Sequence, residues 1–187
     1  MLQVRIHGRG GQGVVTAAEL IAIAAFKDGK QAQAFPFFGV ERIGTPVESY
    51  VRIDNKPIII REQIYQPDIL IIQDQTLLDA INITNGCAKK TIIIINTEKN
   101  KTDFPSLLKK FLKTNMHTID ATRIAMEILG KNIVNTVILG AFAKATNIIT
   151  LESLKKAIEE KFADKDAELI AKNIKTIKTA YNILSKL

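Results

Sequence analysis

Short β-branched runs alternate with longer stretches of helical period along the chain as far as Gly130, the pattern of an α/β domain with a largely parallel sheet. Gln3 to His7 reads as a strand. After a cluster of glycines, Ala18, Ile21, Ala22 and Ala25 recur at helical spacing, and Asp28-Gly29 stops that helix before a second strand at Lys30 to Phe35. Val47 to Ile53 reads as a third strand. The turn Asp54-Asn55-Lys56 into Pro57 to Arg61 is so short that the strands on either side must run antiparallel, which predicts a hairpin within or beside the sheet.

Further strands are predicted at Ile69 to Gln73, Thr91 to Asn96 and Met116 to Asp120. The consecutive isoleucines from Ile92 to Ile95 are what a strand covered on both faces carries. Helices are predicted near Gln75 to Ile81, over Phe104 to Lys113, and over Ala121 to Leu129, with Gly130 ending the last. From Asn132 onward the period is helical throughout: Ile133 to Ala145, Thr150 to Phe162 with Thr150 as N-cap, and Asp166 to Leu187. The last helix places Leu169, Ile170, Ile174, Ile177, Tyr181 and Leu184 on one face, to pack on the sheet or on a partner. The expected fold is a three-layer Rossmann-like α/β domain, with a mixed, mostly parallel sheet and a helical C-terminal part. Residues 1–187 form a single domain.

Composition narrows the function classes. With 187 residues, 47% hydrophobic and 24% charged, the chain has material for a stable core and is not disordered. A formal net charge of +7 invites a nucleic-acid reading. The lysines are, however, dispersed among acids, as in Lys155, Lys156, Glu159, Glu160 and Lys161, and no basic stripe is interleaved with aromatics. The charge therefore reads as solvated surface, with no nucleic-acid partner. The apolar stretch Val14 to Phe26 contains Thr16 and Glu19, is too short to span a bilayer, and follows a glycine turn instead of a basic leader. A cytoplasmic protein without a membrane partner is expected. One cysteine, Cys87, excludes a disulfide framework and any cluster or zinc site built from this chain's thiolates alone.

The strongest local signal is Gly8-Arg9-Gly10-Gly11-Gln12-Gly13, a G-x-G-x-x-G placed after a strand and before a helix. Such glycines let backbone approach a ligand, and the following helix offers unpaired N–H groups to a phosphate. The same glycines also serve a tight turn and close helix-sheet packing, so both readings stand. A dinucleotide site further demands an acid at the end of the second strand, where this chain has Gln33-Ala34-Phe35-Pro36, which argues against NAD or FAD. The second constellation is Phe35 to Pro46, where aromatics, glycines and prolines surround Glu41-Arg42. It reads as a ligand loop or docking surface, or as core-edge aromatics beside a solvated ion pair.

His7 and His117 stand in no metal-ligand spacing and read as strand-end residues. Cys87 follows Asn85-Gly86 in a turn and reads as an incidental thiol. Asp74 ends a strand where ligand loops lie, and a helix N-cap explains it equally well. No catalytic residue and no metal site are assigned.

The opening strand with His7 to Thr16, the segment Gln33 to Arg42, Gly44, Pro46-Val47 and Arg52-Ile53-Asp54 together resemble the gamma subunits of pyruvate and related 2-oxoacid:ferredoxin oxidoreductases. The resemblance continues through Tyr65 to Asp68, Gln73-Asp74 and Asn135 to Gly140. It implies a multisubunit enzyme that converts pyruvate, coenzyme A and oxidised ferredoxin to acetyl-CoA, carbon dioxide and reduced ferredoxin. It also implies that thiamine diphosphate, magnesium and the iron-sulfur clusters sit in other chains, the alpha, beta and delta subunits. By the same resemblance Gly8, Gly10, Gly11, Gln12, Gly13, Glu41 and Arg42 face the assembly's interior and contact coenzyme A or the catalytic subunits. Many relatives carry an Arg-Gly-Gly-Pro type loop where this chain has Ile43-Gly44-Thr45-Pro46, which removes one positive charge. The nearest form is that of pyruvate and branched-chain enzymes, with pyruvate favoured. On this reading the isolated chain is colourless and inactive, and an apolar patch of Phe37, Phe38 and the outer face of a C-terminal helix promotes association. The reading from another class is a stand-alone Rossmann-like nucleotide-binding module.

Overall fold

The computed structural model describes residues 1–37 and 44–184. Its six-stranded sheet has the order β2-β3-β1-β4-β5-β6, built from β1 (Leu2–Arg9), β2 (Gln31–Phe37), β3 (Pro46–Asp54), β4 (Ile69–Ile72), β5 (Ile92–Asn96) and β6 (Met116–Ile119). β1, β4, β5 and β6 pair in parallel, and β3 runs antiparallel to both β1 and β2. The sheet is mixed and mostly parallel, as the patterning predicts.

The predicted hairpin is a correction. β3 does turn the chain back, but its ladders run to β2 and β1, and Pro57 to Arg61 forms no strand. Insertion between two strands uses both edges of β3, so no edge is left for a following partner, and Pro57 has no N–H to donate. The segment instead crosses one face of the sheet as a strap, with Ile59 88% exposed.

Alternation along the strands divides the sheet into unlike faces. Val4, Ile6, Val51, Ile53, Ile69, Ile71 and Ile94 join the larger core beneath α1 (Val14–Lys27), α4 (Ala121–Leu129), α5 (Val137–Thr146), α6 (Leu151–Lys161) and α7 (Ala167–Leu184). Leu70, Ile72, Ile93, Ile95 and Met116 face the other way and pack against α2 (Leu77–Ala80) and α3 (Pro105–Lys110), through Leu77, Leu107 and Phe111. Thr150 caps α6 by accepting from the Ser153 N–H, as the sequence predicts. The predicted stripe of α7 faces the core at five of its six positions: Ile177 and Leu184 are buried, and Ile170, Ile174 and Tyr181 pack against the core. Asn173, Thr176, Ile177, Ala180 and Leu184 are its buried residues, whereas Leu169 is exposed. Asn173, Thr176 and Ala180 widen that face beside α5, where a Cβ at Gly140 would overlap the Ile177 carbonyl and where Thr136 donates to the Asn173 side chain at 2.8 Å.

Candidate functional site: the carboxyl edge of the sheet

Strand order reverses its sense between β1 and β4. α1 leaves β1 towards the larger core and α2 leaves β4 towards the smaller one, so their loops part and open a crevice at the carboxyl ends of the strands. The glycine loop forms one wall.

Each glycine there has an assignable reason. A Cβ at Gly8 would press on the Val14 side chain, so this position keeps α1 close to β1. Gly10 pairs through its backbone with the segment before β3, donating to the Thr45 carbonyl at 2.9 Å and accepting from Gly44 N–H at 3.2 Å. Gly13 caps α1 in the left-handed region at φ 69°, and any side chain there would overlap the Asn135 amide. Asn135 therefore packs directly against Gly13 at the start of α1. Gly11, at φ 91°, meets no atom within 4 Å of its Cβ direction, so the tip of the loop is open backbone.

Side chains lock this loop to β4. Gln12 accepts from the Arg9 backbone N–H at 2.8 Å and donates to Asp74 at 3.2 Å. Arg9 pairs with the same carboxylate at 3.1 Å and donates to the Gly44 carbonyl at 3.0 Å and the Thr76 hydroxyl at 2.7 Å. Burial would raise the Asp74 carboxyl, but hydrogen bonds from Thr76 and Gln12 and the Arg9 guanidinium outweigh it and hold it below the usual carboxylate range. Asp74 is not a helix N-cap, since Thr76 holds that position before α2. Its carboxylate accepts from the Thr76 N–H and hydroxyl and anchors the glycine loop.

The structure thus brings Gly8, Gly10, Gly11, Gln12 and Gly13 together at the sheet edge. Glu41 and Arg42, with Phe38, lie outside the described residues. Gly44 and Thr45, just beyond them, are tied to Gly10. β2, Gln31–Phe37, carries no acidic side chain.

His7 is buried, with neither ring nitrogen hydrogen-bonded. Burial, with the Arg5 charge, pushes its pKa down to about 3, so the ring is neutral although Glu48 lies 3.7 Å away. Cys87 is half-buried, and burial pushes its thiol up despite Arg5 and Lys110 nearby, an inert setting for a sulfur. Among the described residues no group of three or more His, Cys, Asp or Glu side chains is placed to hold a metal ion, and no helix is long and apolar enough to cross a membrane.

Three features carry weak signals in the sequence. Asn135 acts through a glycine more than a hundred positions earlier. Gln73, completely buried, continues the apolar run of β4 with a polar amide. Two arginines, Arg5 and Arg52, lie buried on the face under the strap.

Residues 3–183 match the pyruvate ferredoxin/flavodoxin oxidoreductase family. The chain is 52% identical over 181 residues to the pyruvate/ketoisovalerate oxidoreductases common subunit gamma of Pyrococcus furiosus, covering 97% of this chain and 96% of that one. It is 50% identical over 186 residues to pyruvate synthase subunit PorC of Methanocaldococcus jannaschii, covering 100% and 98%. The crystal structure of pyruvate oxidoreductase subunit PORC from Thermotoga maritima superposes with a TM-score of 0.81 at 34% identity, covering 97% of this chain and 95% of that one. The chain belongs to the pyruvate ferredoxin/flavodoxin oxidoreductase family, as a gamma subunit. Other subunits complete such an enzyme.

Proposed function

We propose that this chain serves in a cytoplasmic pyruvate:ferredoxin oxidoreductase, which turns pyruvate, coenzyme A and oxidised ferredoxin into acetyl-CoA, carbon dioxide and reduced ferredoxin. The observation that carries the reading is identity of about half the residues over nearly the full length of both chains to gamma subunits named for pyruvate. Alpha, beta and delta subunits are its partners, and they hold the thiamine diphosphate, magnesium and iron-sulfur clusters. Cluster ligation by this chain is opposed by its single thiol, which sits half-buried beside Arg5.

The gamma chain's own part is to present the carboxyl edge to the assembly. Gly8, Gly10, Gly11, Gln12 and Gly13 form the contact edge, and the family resemblance assigns Glu41 and Arg42 the same role. The open backbone at Gly11 suits close approach by a neighbouring chain or by coenzyme A. A phosphate fits the described part of this edge poorly, because its one cation, Arg9, is already matched by Asp74. Contact with the catalytic subunits is therefore the favoured role. A gamma subunit shared between pyruvate and ketoisovalerate enzymes, as in the Pyrococcus furiosus relative, leaves the choice of 2-oxoacid to other chains.

Affinity purification of the tagged chain from its native host without oxygen tests the reading. The expected result is co-purification of further subunits, iron-sulfur absorbance and pyruvate oxidation that depends on coenzyme A. A colourless chain recovered alone would overturn it.

A further inference from the structure

Resting on the subunit reading, we propose that the cleft between the glycine loop and the N-terminus of α4 is a receptor for an arginine side chain of an adjoining subunit. The cleft encloses about 260 Å³ at the carboxyl ends of β4, β5 and β6. Its lining includes Gln73, which is completely buried and whose amide oxygen and nitrogen both lack a hydrogen-bond partner. Leaving a buried amide unmade is costly, and a fold that keeps one at a cleft points to a group that completes it from outside.

The charge of the lining selects that group. Asp74, Glu98 and Asp120 contribute to the wall, and no lysine or arginine is among the described lining residues. Asp74 is matched by Arg9, and Asp120 lies 3.5 Å from Arg123, both cations outside the lining. Glu98 forms no ion pair among the described residues. A phosphate or carboxylate entering here would meet like charge. A guanidinium brings only donors in a flat fork, which matches the Glu98 carboxylate and the Gln73 amide oxygen together, and the Gln73 nitrogen, a donor, is left for a backbone carbonyl of the arriving chain. The volume suits one side chain and falls below that of usual small-molecule pockets.

The test uses the full chain and three probes followed by NMR: N-acetyl-arginine amide, the neutral isostere N-acetyl-citrulline amide, and coenzyme A as the anion. The arginine probe is expected to shift the side-chain amides of Gln73, Asn96 and Asn132 saturably, with citrulline at least tenfold weaker. Equal response to citrulline, or displacement of the arginine probe by coenzyme A at those amides, would overturn the proposal.

Gln73→Leu adds a crossed readout. Losing an unmade amide should raise the melting temperature of the isolated chain while lowering the recovery of complex. A higher melting temperature with undiminished assembly, or a lower one, counts against the site. Glu98→Gln is a surface change for use if the leucine variant fails to fold, and it should weaken the arginine probe at least tenfold with melting unchanged. Unchanged arginine affinity in that variant also overturns the proposal. Failure of other subunits to co-purify with the wild-type chain would sink the subunit reading alone, because the arginine titration does not require them.

Discussion

The two halves of one sheet face are covered by different physics. Over β4, β5 and β6, apolar side chains meet apolar side chains from α2 and α3, with Ile93, Ile95 and Met116 fully or almost fully buried. Over β1 and β3 the inward residues are Arg5, His7, Tyr50 and Arg52, and the two arginines are covered by backbone of the strap and, over Arg5, of the loop after α2. Arg52 donates to the carbonyls of Ile60, Glu62 and Gln63, at 3.3, 2.6 and 3.4 Å, and lies 5.1 Å from the centre of the Phe35 ring. Arg5 donates to the carbonyls of Ile64, Ile83 and Asn85, at 3.3, 2.8 and 2.7 Å. Backbone without a ladder, in the strap and in the loop after α2, has carbonyls to satisfy, and two arginines satisfy them from below. The lesson is that irregular backbone lies over a sheet when the sheet supplies the donors.

The comparison breaks most severely at the apolar half. Ile93→Ala should cost about 2–5 kcal/mol of global stability, read as a lower urea midpoint with an unchanged slope. At the polar half, Arg52→Met keeps the bulk of the stem but strands three carbonyls, and about 1–3 kcal/mol should go. That loss should be local, appearing as faster hydrogen exchange and proteolysis in residues 55–66 before the sheet is touched.

Acid distinguishes the halves more gently. His7 is neutral in the fold with a pKa near 3 and ordinary at about 6.5 when unfolded, so the unfolded state binds the extra proton first. Stability should be full above pH 6.5 and fall by at most about 1.4 kcal/mol per pH unit below it, with Glu48 softening the drop. His7→Asn should flatten that slope between pH 7 and 5, and an unchanged slope would assign it elsewhere. The smallest effect belongs to Phe37, an exposed aromatic at the end of the edge strand. Phe37→Ser should move stability by about 0.5 kcal/mol or less while lowering self-association at high concentration.

Legibility in the sequence followed the same division. Where burial is apolar and regular, the pattern sufficed: β1, α1, the doubly covered β5, α4 to its last residue and the cap at Thr150 all lie where periodicity placed them. The glycine loop was legible as a loop at a strand-helix junction, but not the packing of Asn135 against Gly13, which depends on a contact across the chain. Arg5 and Arg52 have the alternation of a solvated face and lie buried, because the donors they offer are used by distant carbonyls. Ile58-Ile59-Ile60 has a strand's composition, but both edges of the preceding strand, β3, are already paired. Asn173 and Thr176 are polar and yet buried, because Asn173 accepts from the Thr136 hydroxyl at the start of α5 and Thr176 donates to the Asn173 carbonyl one turn back.

One clasp has a consequence for how the chain is made. Asp28, at the end of α1, accepts hydrogen bonds from the Thr150 N–H and hydroxyl and from the Ser153 hydroxyl, across 122 residues or more. Leu20, Ile21 and Ala24 of α1 share a core with Leu154 and Ile158 of α6, and with α7 beyond it. At roughly 5–20 residues per second, a ribosome needs about 6–24 s to deliver the second half of that clasp after the first. Throughout that interval the nascent chain carries an uncovered apolar helix, and its folding waits on the arrival of the C-terminal helices.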